Sequence, residues 1–388
     1  MPNPFIPAEL PLSNIAWEEL LPSIIKANTA LANFNGILET IRNPLIFLSP
    51  LMTQEAVLSS RIEGTQASFS DILEYEAAPQ KIKDNYNDIE EVINYREALR
   101  YAEVELRKRP LCLNLIREIH GILLKGVRGE NKARGEFRRI QNWIGPPGSK
   151  IETASFVPPS PENLLNYLSN WEKYCQYDEK DRLVQLAVIH AQFEIIHPFL
   201  DGNGRVGRII IPLFLKEKNL LKFPSLYVSE FFEKNRENYY RHLRNITEKG
   251  DWNNWIKYFL LAVTSQAEIN TKRAKQVANL YEELKYTIQL VTKTKASIQI
   301  QDFLFSKIMF QTPDFTIASG LSKPHAARVL KNLTKHDIVK IISPAKGRRP
   351  AIYGFTDLMA IIESEQCALP DRYFVGAPVC QENCVSSS

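Results

Sequence analysis

HPFLDGNGRVGR, His197–Arg208, places one histidine, one aspartate, three glycines and two arginines in a single short run. Within it GNGRVG, Gly202–Gly207, satisfies G-x-G-x-x-G, so the fold turns on what precedes it. A dinucleotide-binding reading needs a strand before the glycines and alternating strands and helices after them. The preceding LVQLAVIHAQFEIIHPF, Leu183–Phe199, has no glycine and no proline before Pro198 and is rich in Ala, Gln, Leu and Glu, a helical composition. Its neighbours are helical too. The run therefore reads as helix, loop, helix, with Gly202–Gly204 forming the turn and Arg205 beginning the second helix.

That arrangement suits an anion. Glycines let backbone N–H groups converge, a helix N-terminus adds partial positive charge, and arginines add fixed charge with paired donors. Arg205 and Arg208 are spaced to share one helix face and to hold different phosphates of one nucleotide. Asp201 supplies the hard oxygen that Mg2+ prefers, and His197 is the group in the run that takes a proton at neutral pH. A base beside a metal-bound polyphosphate implies transfer of a phosphoryl or nucleotidyl group to an acceptor hydroxyl.

Outward from this run the chain is nearly all α. Ile24–Leu58 is apolar with helical spacing, with breaks expected at Asn43-Pro44 and Ser49-Pro50, and the pattern continues through TQEAVLSSRIEG to a stop at Gly64. Helical spacing recurs at Ile89–Leu106, Leu113–Leu124, Pro161–Tyr174, Glu233–Thr247, Trp252–Thr264 and Gln266–Tyr286. Between them PPGSKIETASFVPP, residues 146–159, has the prolines and alternation of a short hairpin. After about Lys293 the pattern is smaller. Ser322 is placed to cap a helix carrying Ala327, Val329 and Leu330 inward, and two β-like segments follow around the basic turn KGRRP, an order that suggests a winged helix-turn-helix. The expected organisation is an N-terminal helical region (1–108), a core (109–265), a connecting helix (266–293), a winged-helix domain (294–365) and a disordered tail (366–388).

Composition narrows the classes without choosing one. A chain of 388 residues, 44% hydrophobic and 24% charged, builds ample core, and its net charge of +4 is too small to argue for nucleic acid. MPNPFIPAELPLSN lacks a signal-peptide pattern and no apolar run nears the ~20 residues of a membrane span, so a cytoplasmic protein without a membrane partner is expected. Cys112, Cys175, Cys367, Cys380 and Cys384 form no disulfide framework, and the pair in the tail reads as free thiols rather than a metal site.

The run His197–Arg208 resembles the H-x-F-x-[DE]-G-N-G-R-x-x-R signature of the Fic family at each defined position. The resemblance extends through HAQFEIIHPF, the hairpin after GEFRRIQNWIG, ENYYRHL and DWNNWIKYFL, roughly residues 50–265. It implies a Fic-type helical core with a hairpin flap and transfer of AMP from ATP to a protein Ser, Thr or Tyr hydroxyl. His197 would be the base and Asp201 the Mg2+ ligand. Gly202, Asn203 and Gly204 would line the anion hole, Arg205, Val206, Gly207 and Arg208 would continue the nucleotide site, and Tyr240 would border the adenine. SSRIEG, Ser59–Gly64, resembles the family's inhibitory helix, S/T-x-x-x-E-G/N. Glu63, supported by Ser59 and Gly64, would pair with Arg208 in place of the γ-phosphate and would also orient water for the reverse hydrolysis as a second activity. The flap, 146–158, would dock a target protein by strand addition. Self-modification and a homodimer fit the same picture. His190 reads as a core residue or a support for the site. Against the enzyme stands a regulator in which the site senses ATP and the winged helix binds DNA through LSKPHAARVLKNL and the cations Lys346, Arg348 and Arg349.

Overall fold

The computed structural model describes residues 3–41, 43–79, 86–127, 129, 131–146 and 148–364. The tail 366–388 with its three cysteines, and Pro147 in the hairpin, lie outside them. The fold is mainly helical. Its first helices are α1 (Trp17–Thr40) and α2 (Leu45–Ile62). Pro44 begins α2 as expected, but the break expected at Ser49-Pro50 is absent and α2 runs through Pro50. The proline removes one donor from the helix ladder. Burial of Phe47, Leu48, Leu51, Val57 and Ile62 along the same helix, at about 1.5–3 kcal/mol for a large apolar side chain, outweighs that loss. Gly64, at φ +99, ends the segment where an L-residue would be strained. Next come α3 (Phe69–Ala77), opened by a capping box between Ser68 and Asp71, then α4 (Tyr86–Glu105) and α5 (Leu113–Leu123).

The centre is α6 (Leu164–Cys175), α7 (Arg182–Ile196) and α8 (Asn203–Glu217). Asp181 caps α7 by accepting from the N–H groups of Leu183 and Val184, both at 2.9 Å. Nearly every residue of α7 is buried, which is why its sequence shows apolar content without a clean polar stripe. Two tryptophans fasten it. Trp171 donates its indole N–H to the Ile189 carbonyl at 2.9 Å, and Trp255 donates to the Ala187 carbonyl at 2.8 Å.

α9 (Ser229–Lys234) and α10 (Arg236–Lys249) lead into α11 (Trp252–Thr292), a single helix of 41 residues. The two helical stretches expected on either side of Ser265 are thus one element, because Ser265 and Gln266 are buried and the helix continues through them. α1 lies along α11. A buried ion pair, Arg273 to Glu230 at 2.6 Å, ties α11 to α9.

The hairpin is smaller than its sequence suggests. One antiparallel bridge, Ile144 to Phe156, closes it, and its tip turns through a 3-10 segment at Ile151–Thr153 instead of extending as strands. Its prolines and Gly148 supply too few consecutive N–H donors and extended residues for a longer ladder.

The C-terminal unit runs α12 (Ser297–Ser306), β1 (Met309–Gln311), α13 (Thr312–Ser319), α14 (Lys323–Lys335), β2 (Lys340–Ser343), β3 (Ile352–Gly354) and α15 (Thr356–Glu363). Its strands form an antiparallel sheet in the order β1-β3-β2, with Gly354 facing both Met309 and Lys340. Ser322 occupies the N-cap of α14 without a side-chain cap bond. The inward residues are Ala326, Val329, Leu330 and Leu333; Ala327, expected inside, is exposed, since it lies off the apolar stripe that those four define at helical spacing. Among the described residues no helix is long and apolar enough to cross a membrane.

Candidate active site at the start of helix α8

His197 closes α7 in the left-handed region, at φ 49 and ψ 62. Its N–H donates to the Phe193 carbonyl at 3.0 Å and its ring Nδ1 lies 3.2 Å from the Glu194 carbonyl. A carbonyl can only accept, so Nδ1 carries the hydrogen and Nε2 keeps its lone pair. Burial, with the Arg138 charge, lowers the ring to about 4 despite the Glu194 bond, which keeps it neutral with its Nε2 lone pair free to accept a proton.

The loop after His197 is sewn to itself. Asn203 accepts from the Phe199 N–H at 2.8 Å and donates to the Phe199 carbonyl at 2.8 Å, so its side chain holds the turn. The N–H groups of Asn203, Gly204 and Arg205 precede the first bond of α8, from Val206 N–H to the Gly202 carbonyl at 3.1 Å, and are the helix's open donors. Val206 is fully buried in the core, and Gly207 packs so closely on Glu194 that a β-carbon would collide with Oε1. These two positions, expected among the nucleotide contacts, hold the helix in place because the far face of α8 is its core face.

Glu63 closes the site. Its Oε1 accepts from Arg208 Nη2 at 2.7 Å, and the same guanidinium donates to the Ser59 hydroxyl at 2.8 Å and to the Ser59 carbonyl at 2.9 Å. A β-carbon at Gly204 would overlap Glu63 Oε1 and sit 2.9 Å from Arg208 Nη1, so glycine is required for this approach. Burial pushes the Glu63 carboxyl up, but Arg208 outweighs it and leaves the group below the usual carboxylate range. Arg205, expected beside Arg208 as a phosphate ligand, is instead engaged with Glu91 of α4 at 3.1 Å and with Asp201 at 3.6 Å. Thr65, just past Gly64, also donates to Glu91, at 3.0 Å.

Asp201 accepts from the Gly202 N–H on Oδ1 at 2.6 Å, and its Oδ2 lies beside Gly129. Among the described residues no group of three His, Cys, Asp or Glu is arranged to hold a metal. Asp201 alone fits the donor set of an ion that takes its other oxygens from phosphates and water. Tyr240 keeps its ring partly exposed, 39%, with the Arg236 guanidinium 5.8 Å from its centre. His190 is buried between the Gly207 carbonyl at 3.1 Å and the Tyr239 hydroxyl at 2.9 Å, an internal strut from α7 to α8 and α10.

Several supports were not singled out from sequence. His120 of α5 accepts from the Gly135 N–H on Nδ1 at 2.9 Å, so its Nε2–H donates to the Asp201 carbonyl at 3.0 Å, and its ring stacks on Phe199. A histidine on the apolar face of LNLIREIHGIL was the available signal. Glu91, Arg138, Asn142 and Glu194 have no local pattern of their own.

The site thus defines a class: a helical core presenting a helix N-terminus, a neutral histidine and a carboxylate-blocked arginine to an anion. Residues 21–103 match the family described as Fic/DOC family N-terminal, and residues 110–215 match the Fic/DOC family. The chain belongs to the Fic/DOC family. Curated relatives include the protein adenylyltransferase Fic of Drosophila yakuba, 27% identical over 60% of this chain and 43% of its own length. A probable protein adenylyltransferase of Aquifex aeolicus is 31% identical over 52% of this chain and 57% of its own. The chain thus spans about half the length of the curated relatives it matches. Among solved structures, a Fic family protein from Desulfovibrio desulfuricans shares the fold at a TM-score of 0.54 and 18% identity, covering 86% of this chain and 96% of that one. A Fic domain containing signaling protein from Bacteroides thetaiotaomicron does so at 0.53 and 17%, over 64% and 97%.

Proposed function

We propose that this protein transfers AMP from ATP to a Ser, Thr or Tyr hydroxyl of a target protein, itself included, and that Glu63 restrains it. The observation that carries this reading is the capture of Arg208 by Glu63 against Gly204 in the first turn of α8, near a histidine whose Nε2 lone pair is unused. His197 takes the hydroxyl proton, the acceptor oxygen bonds to the α-phosphorus, the bond to the bridging oxygen breaks, and pyrophosphate leaves. The amides of Asn203, Gly204 and Arg205 receive the phosphate charge, and Arg208, once released, takes the outermost phosphate. Asp201 Oδ2 is the residue that would hold Mg2+, which supplies charge neutralisation across the phosphates. Arg205 orients Asp201 and adds field, and Tyr240 borders the base. The target strand lies along the hairpin around Ile144 and Phe156, which carries its hydroxyl toward His197. On this reading Glu63 would also aim water at an AMP ester, so the reverse hydrolysis would use the same site.

The test is label transfer from ATP carrying an α-phosphate label, with Mg2+ and a cell lysate, by wild type, Glu63→Gly and His197→Ala. Strong labelling with Glu63→Gly, faint labelling with wild type and none with His197→Ala is expected. Absence of label with all three would leave the site a binding site only.

The C-terminal unit supports a second reading, a winged helix that binds duplex DNA. The solvent face of α14 carries Arg328, Lys331 and Lys335, the helix contains no acidic residue, and Lys346, Arg348 and Arg349 are exposed on the β2–β3 turn. Full-length protein should then bind duplex with steep salt dependence, and Arg328→Glu/Lys331→Glu should flatten the slope by about two phosphates' worth. Salt-insensitive or absent binding rejects it.

A further inference from the structure

Arg138 lies at the foot of the hairpin and is only 2% exposed. A buried guanidinium is costly unless its donors are satisfied, and an apolar side chain of that volume would avoid the cost. All its side-chain hydrogen bonds go to carbonyl oxygens. Nε donates to His197 at 2.9 Å, Nη1 to Ile140 at 3.4 Å, and Nη2 to Pro159 and, at 3.4 Å, to Ile196. Its backbone N–H donates to the Pro198 carbonyl at 2.9 Å. Those acceptors belong to two places. Ile196 and His197 end α7, where the helix dipole favours a cation; Ile140 and Pro159 are the two feet of the hairpin. Neighbouring side chains add to it: Gln141 joins one foot to the other at the Pro158 carbonyl, 2.9 Å, and Asn142 ties the hairpin to the Phe199 carbonyl just past α7 at 3.0 Å.

His197 needs such a hold. A histidine at φ 49 rests in a sparsely populated region and persists where its surroundings over-determine it. We propose that Arg138 is a positioning residue that locks the hairpin's feet and the general base into one rigid unit. A hydroxyl delivered on the hairpin then arrives at a fixed distance from the His197 ring. This rests on the function proposed above, because a shared unit matters only where the hairpin carries an acceptor to that base.

Two charges act on the His197 ring, Arg138 and Glu63, with opposite signs. The test therefore uses full-length Glu63→Gly protein, in which Arg138 is left. Arg138→Lys keeps the charge but replaces the rigid planar fork of donors with one compact ammonium, which removes the fixed spacing between the donors to the His197 and Pro159 oxygens. Arg138→Met keeps volume and removes charge; Arg138→Gln replaces it if the Met variant does not fold by circular dichroism.

With Arg138→Lys, kcat for AMP transfer should fall by about 100-fold with KM for ATP unchanged, as a misplaced reacting group requires. With the uncharged variant, NMR titration of the His197 ring should show a higher midpoint than in the parent, with burial still holding it below the ordinary histidine range. Parental kcat in the Lys variant, or an unmoved His197 midpoint in the uncharged one, overturns the proposal, even if both variants melt earlier. Should the Glu63→Gly parent itself transfer no AMP, the proposed function fails, while the titration still decides whether Arg138 governs His197.

Discussion

Arg208 Nη2 and Glu63 Oε1 stand 2.7 Å apart at the start of α8, joining the residue that caps the end of α2 to the helix that begins at Asn203. The arginine is buried and its Nε is fixed on the Ser59 hydroxyl, so the pair is held from one side and exposed on the other. A hydrogen bond between charged groups contributes about 1.5–3 kcal/mol. Glu63→Gln should therefore tighten ATP binding by about tenfold or more in isothermal titration, and Ser59→Ala by a smaller factor. Equal affinities in all three proteins would mean that Glu63 is no obstacle to the nucleotide.

The His197 ring titrates near 4, below the ordinary histidine value, so the base form is already populated in mildly acidic solution. The kcat/KM profile should keep its plateau down to about pH 5 and fall below that. A limb centred near 6.5, the unperturbed value, would show that burial does not hold the ring neutral.

Glu55 of α2 is buried, accepts from the Tyr95 hydroxyl at 3.0 Å and the Ser229 hydroxyl at 2.6 Å, and burial raises it to about 7. Its folded pKa exceeds its unfolded one. The folded state therefore holds the extra proton, and stability from this group is full below about 4.5 and is lost as pH rises through about 7. Compared with Glu55→Gln, wild type should lose melting temperature between pH 5 and pH 8. Parallel melting curves for the two proteins would refute the assignment.

His120→Phe keeps the stack on Phe199 but strips the donor from the Asp201 carbonyl and the acceptor from the Gly135 N–H. A buried group left unsatisfied costs about 1–3 kcal/mol, and these two, being half-buried, cost part of that. The loop carrying Asp201 should loosen, so that labelling by the Glu63→Gly protein requires several-fold more Mg2+. An unchanged Mg2+ titration would make His120 a packing residue.

What could be read beforehand was what the chain encodes locally. Gly202, Asn203, Gly204 and the Arg208 side chain sit in one short run whose spacing states their geometry, whereas the pairing of Glu63 with Arg208 was legible only through the resemblance of SSRIEG to the family's inhibitory helix. Arg205 was assigned by that same spacing and yet turns to Glu91, because spacing gives the face of a helix but not the neighbour standing on it. His120 and Arg138 reach the site from segments remote in sequence, and their chemistry exists only once α5, α7 and the hairpin meet. Pro50 and the stretch around Ser265 were misjudged for a related reason. Tertiary burial carries a helix through positions at which its own sequence would let it end.

α2 faces the active site with Glu63 while α12 and α15 of the C-terminal unit pack against the same helix. Binding linkage through such a shared element runs equally in both directions. An occupant of the C-terminal face that draws α12 away from α2 would raise the affinity for ATP, and ATP, by evicting Glu63, would favour that occupant by the same factor. If Glu63 restrains the site as proposed, that contact would work as a two-sided reading head, reporting nucleotide to the rear of the molecule as faithfully as it reports the rear to the nucleotide.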